Sequence, residues 1–434
     1  MKFYCNYKAY LKFLLLGILL IIPIVFSSAQ TAQEIRNKIN EKDSAIEKLE
    51  KEIASYQSQI DGLVQQKDSL NNSLKELDLT KKKLNADISV TQNKIDKTNL
   101  EIQNLSKNIG NKEGSIKNNL DSIALEIRNV NEFEQSDLLE TMFSDDGFSA
   151  VWNDIDNIVA VRKRLREDII SLKQQKGELE DTRKVTVDAK NKLTALKSQL
   201  SDQQKIVVQN ANEKSKLLTQ TKNNEANYQK LLKDRIAQRD AFEKELRDYE
   251  AQLQFIIDPS KLPSGRVLSW PLGSVLITQQ FGKTVDSKRL YTSGTHNGVD
   301  FRAATGTPVM AMADGKIMGV GDTDLTCYGA SFGKFVFIEY ENGLSSTFGH
   351  LSLIKVKEGT KVKRGAVVGY SGNTGHSTGP HLHVSLYAAQ AAKMASKASA
   401  ACDGRTYRLP VAPINAYLDV LAYLPGTVAS MFKK

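Results

Sequence analysis

At 434 residues, 41% apolar and 25% charged, the chain is long enough for more than one domain. Its formal charge of +9 is unevenly placed, because residues 259–434 hold 19 Lys+Arg against 10 Asp+Glu and so carry all of the excess. A basic C-terminal part accumulates at polyanions, but an export signal and the lack of any binding motif exclude nucleic acid.

Lys2, Lys8 and Lys12 precede the apolar run Phe13–Phe26, and Ser27-Ser28-Ala29 follows it. This reads as a secretory signal over residues 1–29, cleaved after Ala29. The run is short for a membrane span, which needs ~20 residues; an uncleaved anchor is the alternative, since Tyr10 and Leu11 extend the segment. The chain is therefore expected to be exported, to the periplasm.

Residues 30–258 read as a coiled coil. From Ile35 to Ile109, alternating steps of four and three pick out 22 positions, and 17 of them are Ile, Leu or Tyr. The exceptions are Lys42, Lys67, Lys81, Thr91 and Thr98. No proline occurs between Pro23 and Pro259, so the pattern predicts long helices with one apolar seam. It breaks near 131–154, where Ser144-Asp-Asp-Gly147 is a turn signal flanked by Leu138, Leu139, Met142, Phe143, Phe148, Val151 and Trp152. It resumes from Ile155 and runs less regularly to Leu253. Two near-equal arms around one break suggest an antiparallel hairpin, with a parallel dimer of long helices as the alternative. The apolar break either closes the hairpin or docks a partner.

Asp258-Pro-Ser-Lys-Leu-Pro-Ser-Gly265 ends the helix, and 259–265 reads as a linker. Beyond it, over 266–424, short β-branched and aromatic runs alternate with glycine: Val275–Thr278, Val299–Phe301, Val309–Ala311, Lys316–Val320, Phe335–Tyr340, Leu344–Phe348 and Val367–Tyr370. The expected class is α+β, a helical coiled coil followed by an antiparallel β-rich domain and a tail over 425–434. Cys327 and Cys402 are the two cysteines beyond the signal; in an exported protein they suggest one disulfide, with two unpaired thiols as the alternative.

Four of the five histidines fall in three places. His381 and His383 stand at i and i+2 in a strand-like run, so both rings project from one face. They are two metal ligands, or one ligand and one acid/base group. In His296-Asn-Gly-Val-Asp300 the His and the carboxylate would lie ~13 Å apart on a straight strand. Asn297-Gly298 tolerates positive φ and can bend the chain to bring them together. His350 lies in Phe348-Gly-His350-Leu. The chemistry this supports is a catalytic zinc site. His296, Asp300 and His383 give two nitrogens and an oxygen and leave a position open for water, whose pKa the ion lowers to ~7. His381 and His350 stand beside it for proton transfer and oxyanion stabilisation. His376 reads as an ordinary loop histidine, with a place on the groove wall as the alternative.

These motifs resemble the lysostaphin/LytM-type zinc metallopeptidases of bacterial cell walls. The likeness covers about Gly265–Leu424 and includes Gln280-Phe-Gly, His296-Asn-Gly-Val-Asp300, Ala313-Asp-Gly, Gly349-His350-Leu, Gly372-Asn-Thr-Gly375 and Ser377-Thr-Gly-Pro-His-Leu-His383. It implies that His296, Asp300 and His383 bind zinc. It also implies that His350 and His381 are catalytic, with His381 the usual general base. Relative to that family, Asp322–Ser331 and Ala388–Arg408 look like insertions.

The coil, the break and the C-terminal domain together also resemble the EnvC-like division proteins. That likeness implies an FtsEX-like membrane transporter as partner and a non-hydrolytic role as activator of wall amidases. Peptidase domains of that group typically lack the ligands; here all five site residues are present. The expected function is thus zinc-dependent hydrolysis of peptide bonds in peptidoglycan, regulated through the coil. A D,D cross-link comes ahead of a glycine bridge as the bond cut, and the amidase scaffold is the alternative.

Overall fold

The computed structural model describes residues 26–64, 69–134, 147–253, 256, 258–283 and 294–432. The apolar run before Phe26 and the centre of the break at 135–146, with the side chains around it, lie outside the described residues. Four long helices are described: α1 Phe26–Val64, α2 Leu70–Glu134, α3 Gly147–Thr221 and α4 Glu225–Gln252. Among the described residues no helix is long and apolar enough to cross a membrane.

The first arm turns once more than its heptads suggest. Lys42 bonds Asp96 at 2.8 Å and Lys97 bonds Asp43 at 2.6 Å, so α1 runs antiparallel to α2. The first of these helices ends at Val64, and Ser69 caps α2 by accepting from the Asn72 N–H at 3.2 Å. The expected hairpin is present between α2 and α3. Lys112 meets Glu178 and Arg183 meets Glu113, each at 2.7 Å, in antiparallel register. Two seam exceptions, Thr91 and Thr98, are buried as the pattern requires, and Thr98 satisfies its hydroxyl on the Lys94 carbonyl.

The contacts divide the chain into two compact units. One joins residues up to Lys48 with Val90–Gln199; the other joins Leu49–Ser89 with Leu200 onward. In the first unit the buried seam includes Ile35, Ile46, Ile95, Ile116, Ile123 and Leu179. The second holds the helix ends, α4 and the whole β-domain.

An elbow separates α3 from α4. Lys222 and Asn223 take φ of 50° and 51°, and Asn224 caps α4 by accepting from the Asn227 N–H. Asn tolerates this left-handed geometry better than most residues.

The β-domain contains β1 Ile277–Gln279, β2 Val299–Arg302, β3 Pro308–Met310, β4 Gly315–Asp322, β5 Lys334–Tyr340 and β6 Leu344–Ile354. It continues with β7 Lys361–Val362, β8 Val367–Ser371, β9 His381–Ala388, β10 Lys393–Ala398, β11 Thr406–Val411 and β12 Tyr417–Leu418. The main sheet has the order β1-β2-β9-β6-β5-β4-β7, with β12 beside β9 and the β3–β8 pair joined through β6. Its pairs are antiparallel. The core, including Val299, Phe301, Val309, Ile338, Phe348 and Leu382, is drawn from the domain itself.

Asp322–Ser331 and Ala388–Arg408, the segments that look like insertions, are both among the described residues. Ala388–Arg408 contributes the β10–β11 hairpin, and Cys327 and Cys402 are joined by a disulfide that ties the hairpin to the other insertion. A second apolar cluster forms there, in which Phe242 and Leu246 of α4 pack with Ala330, Phe335, Tyr407, Leu409 and the disulfide.

Candidate metal site and the helix over it

The site is assembled on three neighbouring strands. Asp300 of β2 pairs across the sheet with His383 of β9, and Gly349 of β6 pairs with His383 from the other side. His296 precedes β2 and is fixed by a two-way backbone bridge to Gly282. The chain does bend between His296 and Asp300: His296 Nε2 comes to 3.3 Å from Asp300 Oδ1. Gly298 serves the bend by its lack of a side chain and not by positive φ. A Cβ there would lie 2.6 Å from both the His383 ring and the Val384 carbonyl oxygen.

One ligand atom each from His296, Asp300 and His383 lies within 4.8 Å of the others, and all three residues are buried. His383 Nδ1 is 2.9 Å from Asp300 Oδ1 and 3.1 Å from His296 Nε2. Each ring is oriented by its other nitrogen. His296 donates from Nδ1 to the Gln280 carbonyl at 3.1 Å, which leaves Nε2 with its lone pair. The His383 Nε2–H meets the Ser385 hydroxyl at 2.8 Å, which leaves Nδ1 facing inward. Such outer partners fix tautomer and ring direction at metal sites, so the donor set fits a divalent ion such as zinc.

Burial opposes the charge on Asp300, but His296, His381 and the hydrogen bonds outweigh it and hold the carboxyl well below its usual range. Burial likewise pulls on His296, yet the Asp300 charge leaves it raised. His383 is lowered, chiefly by burial.

His381 and His350 flank this set. His381 donates from Nδ1 to the Gly379 carbonyl at 2.7 Å, which leaves the lone pair on Nε2, 3.6 Å from Asp300 Oδ1. His350 donates from Nδ1 to the Thr374 carbonyl at 2.8 Å. Its ring lies 4.6 Å from that of His381 and 5.6 Å from that of His383, centroid to centroid. Burial, then the neighbouring histidines, push His350 well below its ordinary value, so its ring is neutral. A bulge aims it: the β5–β6 register shifts between Lys334↔Leu351 and Val336↔Phe348, and His350 takes φ 60°. Bulges re-aim side chains beside active sites in this way. Gly349 was the sequence sign of it.

Sequence reasoning missed the helix that faces these histidines. One cavity is lined by His296, His350, His376 and His383 from the domain and by Glu243 and Glu250 from α4. Glu243 Oε1 accepts from the Ser331 N–H at 2.7 Å and lies 3.7 Å from His376 Nδ1. Glu250 accepts from the Tyr417 hydroxyl at 2.7 Å and from the Ala412 N–H at 3.4 Å. The sequence signal was present: Phe242, Leu246, Tyr249 and Leu253 repeat at seam spacing, with two glutamates seven residues apart beside them. His376 lines the cavity, the alternative reading of that residue.

The helix ends are held to the domain elsewhere as well. Leu84 and Ile206 pack with Tyr370, and Asp202 accepts from Lys355 at 2.8 Å and from the Tyr370 hydroxyl at 3.1 Å. Tyr328 of the first insertion takes the Arg235 guanidinium over its ring at 3.8 Å. Arg302 of β2 pairs with Asp61 of α1.

A buried set of two imidazoles and one carboxylate, at the foot of a groove, is the pattern of a metal-dependent hydrolase centre. Residues 294–395 match the model of peptidase family M23. The chain is similar to the glycyl-glycine endopeptidase ALE-1 of Staphylococcus capitis, 44% identical over 90 residues, which are 21% of this chain and 24% of that protein. It is also similar to the peptidoglycan DD-endopeptidase ShyA of Vibrio cholerae, 44% identical over 91 residues, 21% of this chain and 20% of that one. Among solved structures it matches a mutant catalytic domain of the prophage-encoded M23 protein EnpA from Enterococcus faecalis. There the identity is 34% and the TM-score 0.24, covering 27% of this chain and 82% of that chain. The chain spans a quarter or less of the length of these curated relatives.

Proposed function

We propose that this chain is an exported zinc metalloendopeptidase that cuts peptide bonds in peptidoglycan, and that α4 holds its groove shut at rest. The observation that carries the reading is the complete donor set of His296, Asp300 and His383, with both imidazoles turned inward by a hydrogen bond from the other ring nitrogen. When bound, the ion polarises the scissile carbonyl and acidifies water.

The rest falls to the chain. His381 accepts the water's proton at Nε2, the nitrogen left bare by its bond to Gly379. The neutral tautomer of His350 also presents a lone pair at Nε2, because Nδ1 carries the proton given to Thr374. With its ring kept neutral by burial and its Nε2 bare, His350 stands beside His381 as a second proton acceptor. The basic charge of residues 259–434 and the named activities of the relatives favour a wall substrate.

Regulation through the helices is supported by the two α4 glutamates that line the same cavity as the histidines. The test is digestion of purified peptidoglycan by the zinc-loaded chain, with and without α4 released by Phe242→Ser and Leu246→Ser, products being separated and weighed. Loss of cross-linked dimers that needs both zinc and His381 is the expected result. Intact walls from the released chain, alongside stimulation of an added amidase, would hand the role to the scaffold reading.

A further inference from the structure

Resting on that reading, the geometry points to a carboxylate-binding subsite formed by the Ser331 N–H and the His376 imidazole, occupied in the closed chain by Glu243 acting as a substrate mimic. The preferred substrate is then a peptide with a free carboxylate near the scissile bond, not a neutral glycine bridge.

The subsite is built by the β-domain independently of α4. The His376 N–H donates to the Ser331 carbonyl at 2.8 Å, which locks the two residues side by side. Their loops touch so closely that a Cβ on Gly375 would meet the Gly333 nitrogen at 2.1 Å and the Ser331 oxygen at 2.5 Å. Asp324 accepts from the Gly375 N–H, and Thr374 accepts from the Lys334 N–H. Ser331 itself is held at φ 51°, a costly left-handed conformation for a residue with a side chain. Alongside His350, it is one of two such residues lining the cavity. The disulfide at Cys327 braces the same loop four residues away.

A latch meant only to retain a helix has no need of this. Phe242 and Leu246 already give α4 an apolar grip, and taking a carboxylate out of water opposes docking unless prearranged donors meet it. The donors here are prearranged, strained and in the same cavity as the metal ligands. His376 also shares a loop with the carbonyl of Thr374 that orients His350. The charge on Glu243 is favoured despite its burial, through His376, the Ser331 N–H and Arg247, so the group seated there is an anion. What α4 supplies to this spot is what a substrate must supply once α4 has left: a carboxylate.

The test uses the full zinc-loaded chain and a fluorescent tetrapeptide with free carboxylates, beside the same peptide amidated at each of them. Two variants are compared with the wild type: Glu243→Gln, which keeps the helix's shape, and Phe242→Ser with Leu246→Ser, which loosens it. In at least one of them the acidic peptide should bind about tenfold tighter than to wild type, while the amide changes less than about twofold. Adding His376→Asn should cancel the difference without reducing zinc retention. Equal gains for both peptides, no gain for either in both variants, or a preference that survives His376→Asn overturns the subsite. Hydrolysis is read separately. If both peptides are cut at one rate, the enzyme stands and the subsite falls; if binding prefers the acid but nothing is cut, the reverse holds.

Discussion

The α2–α3 pair and α4 carry the same kind of apolar spacing yet bury it against different surfaces. Along α2 and α3 the seam is met by another helix, and cross-helix ion pairs such as Lys112–Glu178 set the register. On α4 the stripe of Phe242, Leu246, Tyr249 and Leu253 is met by a disulfide-braced β-insertion, and the flanking acids enter the groove. The difference teaches that heptad spacing tells which stripe of a helix is buried and says nothing of what covers it.

Four experiments would break or sharpen that contrast. The largest effect should come from the ligands beneath α4. In the α4-released chain, His296→Ala or Asp300→Ala should abolish zinc retention, and activity should fall by more than the ~10²–10³ lost with one transition-state donor. His350→Ala should keep the metal and lose turnover. Normal zinc content in Asp300→Ala ends the assignment.

Next is the contrast itself. Releasing α4 with Phe242→Ser and Leu246→Ser should raise wall hydrolysis about 100-fold, equivalent to ~2.7 kcal/mol of closure. The same kind of change in the coil, Ile46→Ser with Ile95→Ser, should lower the melting temperature of the helices and leave hydrolysis unchanged. Equal activation by the two pairs would erase the distinction.

Third, replacing Cys327 and Cys402 by Ser removes a crosslink between residues 75 apart. Chain entropy assigns this about 4 kcal/mol, so the domain should melt markedly lower and α4 should become protease-sensitive first. Simultaneous exposure of α2 and α4 counts against a local clamp.

The smallest effect is a pH dependence. Burial raises Glu250 from 4.5 to about 7 against the pull of Tyr417, Ala412 and Arg247, with Glu243 adding to the rise. The docked state therefore binds this proton more tightly than the undocked one. The stabilisation is full below pH 4.5 and is lost as pH rises through about 7. Cleavage of α4 by a protease should speed up several-fold between about pH 5 and 8, and Glu250→Gln should flatten the curve. A flat wild-type profile counts against it.

Much of this was legible in the residues. The seam, the strands bounded by glycine and the cluster of four histidines all follow from spacing, and spacing is what strands and helices preserve. What escaped were places where periodicity runs on while the chain does not. The heptads keep phase across 65–69, so only the cap at Ser69 betrays that α2 begins afresh at Leu70. The strand ending in Phe348 continues to Ile354 because the bulge at Gly349-His350 interrupts alternation without ending the strand. The β10 segment Lys393–Ala398 is largely exposed and polar, so it lacks the in–out pattern that marks a strand. Glu243 and Glu250 look like ordinary solvated helix acids until the β-domain is set against them.

The elbow at Lys222-Asn223 gives α4 leverage. Glu243 lies 18 residues beyond the first residue of α4, a radius of ~27 Å at 1.5 Å per residue. Were α4 to swing as a rigid rod about that elbow by only ~10°, the glutamate would travel ~5 Å, well beyond hydrogen-bond reach of Ser331. Close to the pivot the same rotation displaces the chain by little more than the slack of ordinary packing. Under the proposed regulation, a small rotation at the elbow would therefore be enough to withdraw Glu243 from the groove without unfolding α4.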